Sequence, residues 1–172
     1  PALLELASAS DMTVVGPGLS LDPEAAELTL AIVRTVKRPV LVDGDGLTHL
    51  SRSPEAASSR DGPLVLTPHP GELARLLARP VSEVRDRRVE CLREAASRYR
   101  AIVVAKGAHS LVGMPDGRLF VNLTGNSGMA TPGSGDVLAG TVAAMHGLGL
   151  ALEEAVRNAV LVHGLAGDLA AA

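Results

Sequence analysis

The chain has 172 residues, a length typical of one domain. Apolar residues make up 47% of it and charged residues 20%, so a packed core can form. The net charge of −3, with acidic and basic residues mixed along the chain, disfavours nucleic-acid binding, and no apolar stretch is long enough to predict a membrane partner.

Hydrophobic patterning predicts strands and helices in alternation along the chain. The predicted strands are residues 12–15, 39–42, 64–66 and 101–105, followed by a hairpin of residues 110–113 and 118–121. The predicted helices are residues 23–36 (capped by Asp22), 81–98, 134–148 and 153–171. Residues 51–62 are rich in Ser, Pro and Gly and predict a surface connection. The helix over residues 134–148 is apolar nearly all round, which predicts burial.

Strands that alternate with helices predict a parallel sheet with helices on both faces. In such sheets, ligands bind beyond the carboxyl ends of the strands. Gly-rich or charged clusters follow the predicted strands at residues 16–18, 43–46, 67–71 and 106–107. We therefore expect a ligand site at this edge of the sheet. Cys91 is the one cysteine, which excludes an internal disulfide and predicts a buried thiol in a reducing, cytoplasmic compartment.

Gly133-Ser134-Gly135-Asp136 leads directly into the helix predicted over residues 134–148. Glycines let the backbone approach a ligand, and free N–H groups at a helix start attract an anion such as phosphate. Asp136 would then stand beside bound phosphate, at an electrostatic cost. A function explains that cost if the carboxylate takes a proton from a hydroxyl about to be phosphorylated. The alternative is that Asp136 only favours the helix N-terminus.

The stretch NLTGNSGMATPGSGDVLAG, residues 122–140, resembles the signature N-x-T-G-N-x-G-M-A-T-G-G-[ST]-G-D-V-L-[AT]-G of NAD(P)H-hydrate dehydratases. Residues 14–19, 67–72 and 106–110 resemble three further blocks of that family, in the same order. Related ribokinase-like kinases share the G-x-G-D ending but not the T-G-N-x-G-M-A portion. Pro132 departs from the signature, which has Gly there, and removes one N–H from the predicted phosphate site.

This resemblance implies a ribokinase-like three-layer α/β/α fold with a mostly parallel central sheet. It identifies residues 1–172 as a single dehydratase domain, and we expect the N-terminal segment with which the family domain opens to be missing. The implied activity is that of a hydro-lyase that uses ADP or ATP, with Mg²⁺, to phosphorylate the ring hydroxyl of the S epimer of NAD(P)H hydrate. Loss of phosphate then restores NAD(P)H. A homo-oligomer, by resemblance a tetramer, is expected.

The resemblance also implies the site residues. Gly18, His69 and Asp136 would bind the hydrate, with Asp136 as the catalytic base. The implied nucleotide contacts are Lys106, Gly107, Ala108, His109, Ser110, Asn126, Gly133, Ser134 and Gly135. Asp43 and Asp45 would hold Mg²⁺ through waters. The other histidines lack ligand spacing, so no zinc is expected.

Structural alternatives stay open for several of these residues. Gly18 also suits a tight turn, and Asp45 and Glu72 suit the starts of helices. His69 would alternatively serve a structural role, and Lys106 would be solvated. Two rival functions also remain. One is a ribokinase-like vitamin or sugar kinase, which would release a phosphorylated product. The other is a non-catalytic module that binds nucleotide or builds an oligomer.

Overall fold

The central sheet consists of four parallel strands followed by an antiparallel hairpin. The computed structural model describes residues 2–172, and within them six strands pair in chain order. They are β1 Thr13–Val15, β2 Val40–Val42, β3 Leu64–Leu66, β4 Ile102–Ala105, β5 Leu111–Gly113 and β6 Leu119–Val121. Strands β1 to β4 run parallel, whereas β5 and β6 pair antiparallel. The predicted mostly parallel sheet and its hairpin are confirmed.

Helices cover both faces of this sheet. In the described residues they are α1 Ala2–Ala9, α2 Pro23–Thr35, α3 Asp45–Arg52, α4 Glu55–Ser58, α5 Pro70–Leu77, α6 Val81–Asp86, α7 Arg88–Tyr99, α8 Ser134–Gly147 and α9 Leu152–Ala170. Side chains alternate along each strand. Leu41 and Val65 therefore pack with α8 and α9, whereas Val42 and Leu66 join the core under α2, α3, α5 and α7. None of the helices in residues 2–172 is long and apolar enough to cross a membrane.

The prediction of one helix over residues 81–98 is wrong. Helix α6 ends at Asp86 and α7 begins at Arg88, because Arg87 has a non-helical backbone with φ −125° and ψ 47°. Arg79 forms ion pairs with Glu83 of α6 and with Glu94 of α7. The break thus allows carboxylates of two separate helices to meet one guanidinium, which periodicity alone does not predict. Cys91 is buried on α7, as predicted.

Three local expectations also need correction. The segment of residues 51–62 is more than a surface connection, because it contains the end of α3, all of α4 and the buried Arg60. Asp22 stands at the N-cap of α2, but its carboxylate accepts from Ser20 Oγ at 2.8 Å and caps no helix N–H. Helix α8 is not buried all round, because Val137 is 61% exposed. The sequence analysis did not identify α1.

Arg60 connects three backbone segments near the starts of β2 and β3. Its guanidinium donates to the carbonyl oxygens of Val33 at 2.8 Å, Arg38 at 2.5 Å and Pro63 at 3.0 Å. Burial lowers the pKa of Arg60 to about 10, and the three carbonyls compensate for the loss of water. Arg60 thus links the end of α2 to the segments that lead into β2 and β3.

We predict that Arg60→Met lowers the free energy of unfolding by about 3 kcal/mol, because it leaves buried carbonyl oxygens without donors. Denaturant unfolding measures the change. The matched control is Arg34→Met on α2, where the ion pair with Glu55 is exposed and its loss costs less than about 1 kcal/mol. Equal effects of the two variants would contradict a structural role for Arg60.

Candidate functional site

A cavity of about 770 Å³ lies at the carboxyl ends of β2, β3 and β4. The start of α8, the segment before it and one side of α9 enclose the other walls. Most of the predicted site residues line this cavity: Asp43, His69, Lys106, Gly107, Ala108, Ser110, Asn126, Ser134, Gly135 and Asp136. Gly18, Asp45, His109 and Gly133 are not in its lining. The parallel sheet thus brings the clusters after β2, β3 and β4 together, as expected from its topology, whereas the cluster after β1 stays outside the lining.

An ion pair between Lys106 and Asp43 forms the floor of the cavity. Lys106 follows β4, Asp43 follows β2, and Lys106 Nζ donates to Asp43 Oδ1 at 2.8 Å. The Asp43 side chain is 3% exposed and that of Lys106 is 22% exposed. Each group is the oppositely charged partner of the other, which offsets part of the cost of burying them. The ammonium retains two N–H donors that this bond does not use.

Helix α8 begins directly above this pair. Gly133 precedes the helix with φ +87°, a conformation that favours glycine. A Cβ on Gly135 would lie 3.0 Å from Lys106 Nζ and 3.4 Å from Asp43 Oδ2, so glycine lets the helix start approach the ion pair. Asp136 is exposed in the first turn and lines the cavity. The first-turn N–H groups and the Lys106 ammonium therefore offer an anion site with a carboxylate beside it.

His69 has a structural function at the start of α5, and its predicted contact with the hydrate stays a prediction. Its Nδ1 accepts from the N–H of Gly71 at 3.0 Å, and Glu72 Oε2 accepts from the N–H of His69 at 2.8 Å. The two side chains form a capping box at the start of α5. The imidazole is therefore held in place while 52% of its side chain stays exposed at the cavity.

Glu72 is a buried carboxyl group at the base of the cavity. Burial raises its pKa above the usual value, while the His69 N–H and the charge of Lys106 act in the opposite direction. The capping alternative for Glu72 is confirmed by the capping box. A direct role in chemistry stays a prediction.

The loop of residues 107–110 is held from outside the cavity. Arg88 donates to the carbonyl oxygens of Ala108 at 2.9 Å and His109 at 3.0 Å. His109 has φ +55° and does not line the cavity, so the structure does not place it with the other predicted nucleotide contacts. Sequence reasoning did not identify Arg88, because it lies twenty residues away on α7.

Gly18 lies in a neighbouring loop, and Asp45, the first residue of α3, contacts that loop. Asp45 Oδ2 accepts from the N–H of Ser20 at 3.0 Å, and His49 Nε2 lies 2.9 Å from the Ser20 carbonyl oxygen. Gly18 has φ +62°, which agrees with the turn alternative. The Asp45 carboxylate thus contacts this loop and is not in the cavity lining, and the role predicted for Asp43 and Asp45 in holding Mg²⁺ through waters stays a prediction.

Helix α9 supplies cavity residues that sequence reasoning missed. His163 Nε2 lies 3.4 Å from Ser134 Oγ, and burial lowers the pKa of His163 below its usual value. Gly164 also lines the cavity, and a Cβ there would lie 2.2 Å from Thr124 Oγ1. A glycine within a helix destabilises it, so its presence suggests that another segment needs the space. Gly164 was therefore the sequence signal for a segment packed on this helix.

The side chain of Asn126 makes three hydrogen bonds within the protein. Its Nδ2 donates to the carbonyl oxygen of Gly167 at 2.9 Å and to Asp168 Oδ1 at 3.1 Å, and its Oδ1 accepts from the N–H of Gly128 at 2.9 Å. Its position in the lining is therefore secured by α9. A contact with nucleotide or metal-bound water stays a prediction.

The chain is similar in sequence to known proteins. The family model described as NAD(P)H-hydrate dehydratase matches residues 2–172. The bifunctional NAD(P)H-hydrate repair enzyme of Thermofilum pendens is 54% identical over 169 residues, which are 98% of this chain and 32% of that protein.

Solved structures agree with this result. The crystal structure of the ADP/ATP-dependent NAD(P)H-hydrate dehydratase of Bacillus subtilis, co-crystallised with ATP and Mg²⁺, is 32% identical with a TM-score of 0.81, and the match covers 96% of this chain and 60% of that one. A ribokinase-like superfamily protein of Enterococcus faecalis is 28% identical with a TM-score of 0.86, covering 99% of this chain and 59% of that one. The predicted ribokinase-like fold is confirmed. The chain spans about a third of the bifunctional relative and about 60% of the two solved chains.

We predict that Gly164→Ala lowers the free energy of unfolding by about 1–3 kcal/mol, because the new methyl group overlaps Thr124. Gly140→Ala on α8 is the matched control, since a Cβ there meets nothing within 4 Å, and it should stabilise the helix by about 0.5–1 kcal/mol. Denaturant unfolding of both variants measures the difference. A Gly164→Ala protein as stable as the wild type would show that the segment of residues 122–130 does not pack on α9 in solution.

Proposed function

The chain belongs to the NAD(P)H-hydrate dehydratase family, and from this premise we propose that it catalyses the ADP- or ATP-dependent dehydration of the S epimer of NAD(P)H hydrate. The substrate carries a hydroxyl group that water addition has placed on its reduced nicotinamide ring. Phosphorylation of this hydroxyl and loss of phosphate restore NAD(P)H. The activity is that of a hydro-lyase acting in repair of nicotinamide nucleotides.

The observation that carries this proposal is the placement of Asp136 at an open helix start above Lys106. A terminal phosphoryl group at this helix start would meet first-turn N–H groups and the Lys106 ammonium. Asp136 would take the proton of the ring hydroxyl, whose oxygen then attacks phosphorus as the bond to the nucleotide breaks.

Elimination then follows from the substrate's own electrons. The lone pair of the ring nitrogen expels the phosphate from the neighbouring carbon. The next ring carbon then loses a proton, and the carbon–carbon double bond of NAD(P)H re-forms between these two carbons. The products are NAD(P)H, inorganic phosphate and the nucleotide shortened by one phosphoryl group. The protein needs to contribute little here beyond stabilising the departing phosphate.

Lys106 and the backbone N–H groups at the start of α8 form the proposed phosphate-binding site. Lys106 has two unused N–H donors while it stays paired with Asp43. We assign the nucleotide further to residues 107, 108, 110, 126, 134 and 135, and the hydrate to His69, all of which line the cavity. The rigid capping of His69 supports its role, because a fixed imidazole loses little entropy on binding.

The residues at the cavity fit a magnesium ion held mainly by the nucleotide. Mg²⁺ commonly binds through one or two carboxylates together with phosphate oxygens. Asp43 Oδ2 faces the start of α8, and Asp136 is exposed there. Residues 2–172 contain no cluster of three or more His, Cys, Asp or Glu side chains that would hold a metal by itself. When bound, the ion would neutralise charge on the transferring phosphoryl group.

The direct test incubates the protein with hydrated NADH and ADP or ATP and follows the return of reduced-nicotinamide absorbance. We expect absorbance to recover together with release of inorganic phosphate. A phosphorylated product that persists, or turnover of pyridoxal or hydroxymethylpyrimidine instead, would favour a vitamin kinase. Nucleotide binding without turnover would favour a non-catalytic module.

We predict that Asp136→Asn lowers kcat by at least about 100-fold, because the amide cannot accept the hydroxyl proton. ADP affinity should be unchanged or higher, since a negative charge near the phosphates is removed. Asp116→Asn in the β5–β6 turn is the control and should keep wild-type kinetics. Normal turnover by Asp136→Asn would refute the assignment of the base.

We propose further that the protein is a cytoplasmic homo-oligomer in which residues 1–172 form one domain. An exposed apolar face supports self-association. It comprises the α9 side chains of Leu161, Leu165 and Leu169 and the nearby Val121 and Leu123, which are 43–79% exposed.

Sedimentation velocity tests this face. We expect an oligomer for the wild type and a smaller species for Leu161→Gln/Leu165→Gln, because the substitutions remove apolar area from the contact. Leu148→Gln, at the end of α8, should leave the oligomer intact. A monomeric wild type would contradict the proposal.

A further inference from the structure

Asp168, near the end of α9, binds the segment of residues 125–130 through both of its carboxylate oxygens. Oδ2 accepts from the N–H of Gly125 at 2.8 Å, and Oδ1 accepts from Asn126 Nδ2 at 3.1 Å. The side chain does not line the cavity. It therefore contacts the outer side of a segment whose inner side faces the ligand space.

Hydrogen bonds such as those from Gly125 and Asn126 to Asp168 fix the position of residues 125–130. None of residues 121–130 is buried, so no apolar side chain anchors the segment in the core. Gly125, Asn126 and Met129 nevertheless line the cavity. A Cβ on Gly167 would lie 2.2 Å from Met129 Sδ, so the segment packs directly on the α9 backbone.

The position of Asp168 is unfavourable for its own helix. A negative charge in the last turn opposes the helix dipole, and the last turn of α9 contains no basic residue. The two accepted hydrogen bonds lower the pKa of Asp168 below its usual value, which keeps the carboxylate charged. The residue therefore serves the segment rather than the helix.

We propose that Asp168 is a positioning residue that holds residues 125–130 in the conformation that binds nucleotide and substrate. The nucleotide part of this inference rests on the proposed function. A carboxylate is required because it accepts from two donors at once. An amide at this position would present an N–H group to one of those donors.

The test compares Asp168→Asn with Asp116→Asn. Asp116 is a matched control because its carboxylate also accepts a backbone N–H and a side-chain N–H, both from Arg118, at 3.0 and 2.7 Å in the remote hairpin. For Asp168→Asn we expect faster hydrogen exchange in peptides covering residues 122–130. Calorimetric titration should show ADP affinity about tenfold weaker, and kcat at saturating substrate should stay within about threefold of the wild type. Asp116→Asn should change none of these quantities.

Gly167→Ala provides a second route to the same displacement, because its methyl group would push Met129 away without removing a hydrogen bond. Unchanged exchange in Asp168→Asn, or faster exchange with unchanged ADP affinity, would overturn the role of Asp168. A wild type that binds ADP but does not dehydrate the hydrate would refute the proposed function alone, since the affinities of the variants still decide the role of Asp168.

Discussion

The ion pair between Lys106 and Asp43 is the interaction on which the site depends. The two residues follow β4 and β2, with β3 between them, and the parallel sheet in this strand order brings them together. Asp43 without its partner would leave a buried negative charge at the base of a cavity that also contains Glu72 and Asp136. Its neutralisation by Lys106 allows the start of α8 to keep a positive potential for an anion. Gly135 is part of the same arrangement, because any side chain there would press on the pair.

Much of this arrangement could be predicted from the sequence, for a specific reason. The strands are short buried apolar runs, such as Val40–Val42, and each is followed at once by its functional residues. Chain order alone then places Asp43, His69 and Lys106 at one edge of the sheet. The G-S-G-D turn was identified through its resemblance to the family signature, because glycines before a helix also serve turns and caps.

The contacts that could not be predicted join residues far apart in sequence. Arg60 lies in a polar stretch that is typical of the surface, and its burial depends on three carbonyls from distant segments. The break at Arg87 likewise brings Glu83 and Glu94 of two helices to Arg79, a contact that the local pattern does not contain. His69 stands between two prolines and resembles a loop residue, yet its ring caps α5. In each case the local sequence is also compatible with the predicted surface segment, continuous helix or loop. The observed structure depends on contacts with residues that are distant in sequence.

Two walls of the cavity are held from outside by side chains of opposite charge. Arg88 attracts the carbonyl oxygens of residues 108 and 109, whereas Asp168 attracts N–H groups of residues 125 and 126. Neither side chain is in the lining. Carbonyl oxygens that point to Arg88 are turned away from the ligand space, which removes partial negative charge from the surroundings of a phosphate. On the opposite wall, residues 125 and 126 separate the negative charge of Asp168 from the ligand space. The site can thus be rigid on both sides while its polarity is determined mainly by Lys106 and the start of α8.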